Sequence, residues 1–311
     1  MARASEGRAG GGGPAAGLFR GRLVLAAAGA VGLIAAAALL WVSSGGETSS
    51  GAGGPDPGPV HVHGLGVDPA DGALFVATHT GLYRVGADER TAERVGGRYQ
   101  DTMGFTVVGP NRFLGSGHPD LVEAREQGLP PLLGLIESTD AGESWQPISL
   151  SGKADFHVLR PAGRRVYGYD ATNERLLVSA DGGRSWTRLA TPGPLVDLAV
   201  DPGNERRLVV ASAGGPVEGL FASGDGGASW RGVSETVGLL AWPRPLYLVG
   251  GDGRVFASRD GGRSLEGRGE IGGQPAALLA AGPGELYVAL HDGTIKRSVD
   301  GGATWTVRST P

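Results

Sequence analysis

Six histidines and no cysteine occur in this chain of 311 residues. Without thiols there is no disulfide, no sulfur-ligated metal and no catalytic cysteine. The strong chemistry left is imidazole with carboxylate, a set that suits zinc, copper, iron or nickel and equally suits general acid–base work. His61 and His63 fall together in VHVHGLGVD, His79 in VATHTG, His118 in GSGHPD, His157 in DFHVL and His291 in VALHDG. All six are candidate metal ligands, with zinc or copper as the expected ion and Asp101 and Asp155 as the carboxylate partners. His61, His63, His79 and His118 lead this set, and His157 and His291 follow. Because only the neutral imidazole binds a metal, affinity is expected to fall as pH drops below about 6.5. A second chemistry is also legible. Tyr169 and Asp170 adjoin, and with Asp101 they make a phenol-and-carboxylate set of candidate catalytic residues for hydrolysis.

Residues spread from 61 to 291 need a fold that gathers them, and the chain announces one by repetition. STDAGESW begins at Ser138, SADGGRSW at Ser179, SGDGGASW at Ser223, SRDGGRSL at Ser258 and SVDGGATW at Ser298. Successive starts lie 41, 44, 35 and 40 residues apart, with Leu265 replacing Trp in the fourth copy. A period near 40 with one turn per unit marks a repeat architecture. In SADGGRSW, Asp181 is expected to accept bonds from the backbone one and two residues on, Gly183 to take a positive φ, and Ser179 and Ser185 to bond across the turn. Trp186 opens the next strand and offers a large apolar face to the neighbouring sheet. Trp145, Trp186, Trp230 and Trp305 are therefore expected to be substantially buried on fourth strands, and Trp186→Ala to cost about 3–5 kcal/mol.

The five copies resemble the Asp-box, or BNR repeat, of sialidases, sortilin-type receptors, some glucanases and photosystem assembly factors, all of them β-propellers. In those families the box is a structural turn away from the active site. The resemblance thus implies that Asp140, Asp181, Asp225, Asp260 and Asp300 are structural.

From Val60 to the end, short strands alternate with turns in six units of four strands, giving an all-β, six-bladed propeller over 60–311 with its boxes between third and fourth strands. The chain enters on a first strand and leaves on a fourth, so closure needs no exchanged strand. A weak helical segment is expected at Leu121–Gln127. In such a blade the start of the first strand and the end of the second share one face of the ring. All six histidines map to that face, opposite the boxes, as do Asp101, Asp120, Asp155, Asp170, Asp292 and the long loop from Pro119 to Pro131. Strand alternation would put His61 and His63 on the same side.

HVHGLGVD, ATHTGLYRV, MGF, GSGHPD and FHVL together resemble a bacterial propeller family described as glycosyl-hydrolase or exo-sialidase-like, over about Val60 to Arg308. Sialidases carry an Arg-Ile-Pro motif, an arginine triad and a Tyr–Glu pair. Here Arg-Ile-Pro is missing, and Arg98, Arg125, Arg160 and Arg165 are scattered. The sequence also lacks a Gly-x-Ser-x-Gly elbow, a His-Glu-x-x-His pair and a Walker phosphate loop.

The N-terminal region reads differently. Residues 1–22 are rich in Gly and Arg and should form a disordered cytoplasmic segment. Residues 23–42 carry no charge, and twenty residues of helix span about 30 Å, one hydrocarbon core. The preceding arginines favour a single-pass anchor at the cell membrane with the propeller extracytoplasmic; the rival is a cleaved signal segment. Residues 43–59 read as a flexible Ser/Gly/Pro linker. A net charge of −4 with no long basic run argues against nucleic acid as partner, leaving the membrane and a glycan or protein ligand. The readings left open are a membrane-tethered module binding a metal, ligand or partner through its histidine face, a glycoside hydrolase, and a plain scaffold.

Overall fold

The computed structural model describes residues 58–311. The expected anchor at 23–42 and the flanking segments 1–22 and 43–57 lie outside the described residues. Among the described residues, no helix is long and apolar enough to cross a membrane.

Six four-stranded antiparallel sheets follow one another, each built from four consecutive strands. The first blade is β1 (Val62–Val67), β2 (Leu74–Thr78), β3 (Gly81–Val85) and β4 (Glu93–Arg94). The second is β5 (Asp101–Gly109), β6 (Arg112–His118), β7 (Leu135–Ser138) and β8 (Gln146–Ser149), with helix α1 (Leu121–Gln127) between its second and third strands. The third is β9 (Phe156–Ala162), β10 (Arg165–Asp170), β11 (Arg175–Ser179) and β12 (Thr187–Arg188). Residues 195–234, 238–270 and 275–309 make the remaining three. The architecture is an all-β, six-bladed propeller.

Apolar side chains fill the spaces between blades rather than one central core. One cluster joins Val62, Leu65, Leu74, Val76 and Tyr83 of the first blade to Ala277, Tyr287 and Ile295 of the sixth, across the point where the ring closes. The closure is reinforced by Arg308, which donates to the carbonyls of Gly86, Ala87 and Glu89, and by Ser309, which donates to Arg90 O.

The five repeated turns are built alike. Asp181 Oδ1 accepts from Ser179 Oγ at 2.7 Å, Arg184 N at 3.0 Å and Ser185 N at 2.9 Å, while Oδ2 accepts from Ser185 Oγ at 2.6 Å. The backbone donors thus lie three and four residues on, not one and two, because the carboxylate points across the loop. Ser179 Oγ accepts in turn from Gly183 N at 2.7 Å. Gly183 sits at φ 91°, and a Cβ there would fall 2.1 Å from Leu135 Cδ2 in the preceding blade. The turn is therefore also a blade-to-blade joint. The tryptophans depart from expectation. Trp145, Trp186, Trp230 and Trp305 are half-buried and stand just before their fourth strands. Their rings lie across the blade edge: Trp186 stacks near Phe156 at 4.8 Å and its Nε1 donates to Ser149 Oγ of the preceding blade.

Candidate metal centre

The histidine end of the ring is shaped by irregular pairing. In β1 and β2, Val62 faces Thr78 but Gly64 faces Ala77, so His63 is an extra residue in a bulge. In β9 and β10 the same slip leaves His157 as the extra residue between Phe156 and Val158. A bulge re-aims the side chain that would otherwise follow strand alternation. His61 is not part of β1 at all. It precedes the strand in the left-handed region at φ 55°, a conformation more often tolerated by His than by most residues. The alternation argument for His61 and His63 thus fails, yet both approach His79, with ring centroids 5.6 and 4.2 Å away. The first and second blades approach closely here, and a Cβ on Gly64 would lie 3.0 Å from Phe105 Cβ.

Asp101, the first residue of β5, completes this group from the second blade. Its Oδ1 lies 2.9 Å from His79 Nδ1 and 3.9 Å from His63 Nε2. One donor atom from each of the three residues falls within 4.8 Å of the others. Asp101 Oδ1 and His63 Nε2 are both buried and without a hydrogen-bond partner. Burial, then the neighbouring histidines beginning with His79, holds the His63 imidazole well below its ordinary pKa. It is thus neutral near pH 7. His79, beside the Asp101 carboxylate, is pushed up instead.

A second group lies one blade further round. Asp155 is nearly fully buried, at 3% exposure. Its Oδ2 lies 2.9 Å from His157 Nε2 and 3.7 Å from His118 Nε2, and its Oδ1 is buried with no partner. His118 Nδ1 is 2.9 Å from the carbonyl of Pro131, at the end of the long loop. That loop is ordered by α1, whose N-cap Asp120 accepts from Val122 N and Glu123 N and also from Tyr99 N. His291 stands exposed after β22 (Glu285–Leu290) and joins neither group.

Tyr169 and Asp170 occupy a different environment. Asp170 is fully buried; its Oδ2 takes Arg175 Nη2 at 2.6 Å and Asn173 Nδ2 at 2.9 Å, and its Oδ1 accepts from Asp155 N at 3.2 Å. Tyr169 is buried too, which pushes its phenol above the ordinary value. These contacts make the pair a support for the start of β9. The sequence offered no sign of this, because Arg175 and Asn173 reach Asp170 only through the hairpin. At the opposite end of the axis, a cavity of about 570 Å³ is lined by inner strands of all six blades. Its carboxylates are likewise engaged, Asp201 by Arg207 and Arg244 and Glu205 by Arg165.

No family model matches the chain. A xyloglucanase of Paenibacillus sp. is 26% identical over 226 residues, which cover 63% of this chain and 20% of that enzyme. The chain therefore spans about a fifth of the length of this curated relative. Among solved structures, a GH74 enzyme of Niastella koreensis superposes with a TM-score of 0.57 at 16% identity, over 80% of this chain and 45% of that one. YCF48 bound to a D1 peptide gives 0.50 at 17% identity, over 81% and 82%. At these identities the structural likeness speaks for the fold alone.

Proposed function

We propose that this protein is a metal-binding propeller, holding one divalent transition metal, zinc or copper, on His63, His79 and Asp101 with His61 beside them. The observation that carries this reading is the convergence of donor atoms from His63, His79 and Asp101 within 4.8 Å, with His63 Nε2 buried and without a hydrogen-bond partner. Buried polar atoms are nearly always paired, and leaving His63 Nε2 unpaired costs about 1–3 kcal/mol. Ligands on a tetrahedral ion with bonds of about 2.0–2.2 Å stand about 3.3–3.6 Å apart, and the distances here, 2.9 and 3.9 Å, bracket that value. Three protein ligands leave a position for water or a ligand. The sulfur-free set suits zinc or copper. The repeated turns, read as Asp-boxes, are structural in this account. Residues 23–42 serve as a membrane anchor that places the module outside the cytoplasm. Metal analysis of the full chain purified without a histidine tag tests the proposal. Bound zinc or copper, with one equivalent of it lost in His63→Ala/His79→Ala, is the expected result; a metal-free protein whose melting is unmoved by either ion would overturn it.

The similarity to a xyloglucanase favours a second reading, hydrolysis of a glucan such as xyloglucan. Against it, the buried Asp170 and the carboxylates of the axial cavity are already held by guanidinium groups. Release of reducing ends from xyloglucan, abolished by Asp101→Asn, would favour this reading over the first.

A further inference from the structure

We propose that the joint between the fourth and fifth blades, at the turn end of the ring, is a peptide-binding socket. Its ligand is a segment of a partner protein that presents one aromatic side chain flanked by acidic residues. The socket is separate from the histidine end and does not depend on a metal there.

Two other joints are closed by an aromatic side chain from each side. Between the third and fourth blades, Trp230 follows the turn of the fourth, and its Nε1 donates to Ala190 O of the third at 2.9 Å. Tyr167 of the third blade lies over the same turn: a Cβ on Gly226 would be 3.6 Å from its hydroxyl. Between the fifth and sixth blades, Trp305 and Tyr247 pack together, and a Cβ on Gly301 would lie 2.8 Å from the Tyr247 hydroxyl. Strand register identifies the matching positions in the fourth blade. Val166, Leu208 and Leu246 each face the serine that opens a turn, Ser179, Ser223 and Ser258. Val209 is therefore the counterpart of Tyr167 and Tyr247, as Leu265 is of the tryptophans. The joint between the second and third blades has Leu114 at the tyrosine position but keeps Trp186. At the joint between the fourth and fifth blades both aromatic side chains are replaced by aliphatic ones.

A cavity of about 270 Å³ lies at that joint. Ligand pockets run to about 300–1,000 Å³, so this one suits a single ring rather than a polymer. Leu208, Ala222 and Val233 give it apolar surface, and Trp230 and Trp242 flank it. Trp242 leans on the next turn, where a Cβ on Gly261 would be 3.4 Å from its Cη2. Two indoles offer an incoming ring offset-stacked or edge-to-face contact. The charges select what accompanies the ring. Arg207 is engaged, with its guanidinium 5.6 Å from the Trp242 ring centroid and Nη1 donating to Asp201 Oδ2. Asp260 is held by its own turn, through Ser258 Oγ and Ser264 N. Arg231 and Arg263 line the cavity and are exposed, and among the described residues neither joins an ion pair. Guanidinium groups bind carboxylates in bidentate fashion, so acidic residues beside the ring complement this rim. The fold itself fills the equivalent joints with aromatic side chains of a polypeptide, which is why a peptide is the occupant.

The test titrates the full chain, with chelator present, into a dye-labelled peptide of sequence Asp-Glu-Trp-Glu-Asp, read by fluorescence anisotropy. Saturable binding of one peptide per chain is expected. Replacing the peptide's tryptophan by alanine should weaken it about tenfold or more, as should Arg231→Ala/Arg263→Ala in the protein. Leu265→Trp restores the indole of the other turns. It should raise the melting temperature while weakening the peptide about tenfold or more, which separates a filled socket from an unfolded one. No saturable binding to a folded wild type would overturn the socket. Equal binding of the alanine peptide would reduce it to a bare charge patch, and binding unmoved by either variant would place the peptide elsewhere; both results overturn it. Oligogalacturonate bound in place of the peptide, and lost in Arg231→Ala/Arg263→Ala, would make this a saccharide site and overturn the peptide reading.

Discussion

The two ends of the propeller treat polar side chains in opposite ways. At the turn end each repeated aspartate is saturated: Asp225 and Asp300 accept the same two hydroxyl and two backbone bonds as Asp181. These carboxylates are exposed, and their own turn holds them well below the usual carboxylate range. At the histidine end, His63 Nε2, Asp101 Oδ1 and Asp155 Oδ1 are buried and left without partners. A chain that satisfies its polar groups so thoroughly at one end leaves several without hydrogen-bond partners at the other, and the proposed metal site rests on that contrast. Bonded aspartates hold the turns; open imidazoles and carboxylates are available to a ligand.

The comparison would break first at the joint behind the turns. Gly183→Ala adds a Cβ into Leu135 at an unfavourable φ, and overpacking with strain should cost about 3 kcal/mol in urea unfolding. An unchanged midpoint would mean that the turns are not joints. Next comes the metal. His63→Ala should lower zinc affinity about 100-fold, or 2.7 kcal/mol, while shifting the stability of the stripped protein by about 1 kcal/mol or less. Equal losses in both measurements would make His63 an ordinary core residue. Trp186→Ala should cost about 2 kcal/mol, less than for a fully buried ring, because the ring is only partly buried.

The smallest effect concerns pH. The turn contacts, led by the backbone bond from Ser264, hold Asp260 down to about 2, against about 3.9 in an unfolded chain. A depressed carboxyl stabilises the fold above the unfolded value and loses that contribution as pH falls through the folded one. The window is therefore about pH 4 to 2, and Asp260→Asn should flatten the acid side of the stability curve there. A steeper acid limb in the variant would contradict the assignment.

Much of this was legible in the sequence. The 40-residue period located every turn between third and fourth strands, and counting strands put all six histidines at one end. The helix at Leu121–Gln127 was legible only as a weak helical segment; its capping by Asp120 and Gly128 is seen in the structure. What a strand period cannot show is a bulge. His63 and His157 are aimed by inserted residues, and His61 lies outside the strand. Nor can it show which of six rings meet, since His79 and Asp101 come together only when two blades pack. Burial of Tyr169 and Asp170 was equally hidden, because hairpin partners, not neighbours in sequence, neutralise the carboxylate. The tryptophans were expected to be substantially buried on fourth strands; they pack, partly buried, against the core clusters and stand one residue before those strands.

The way the ring closes has a kinetic consequence. Every sheet is made of consecutive strands, so nearly all pairing is local and each blade can form from its own stretch of chain. One joint differs: Arg308 meets Gly86 across a separation of 222 residues. Bringing such distant segments together costs on the order of 5 kcal/mol of chain entropy, a cost that falls once the intervening blades have folded and stacked. Ring closure between the sixth and first blades is therefore the late step of folding, and the first blade, which carries His63 and His79, gains its second neighbour only then, together with the sixth.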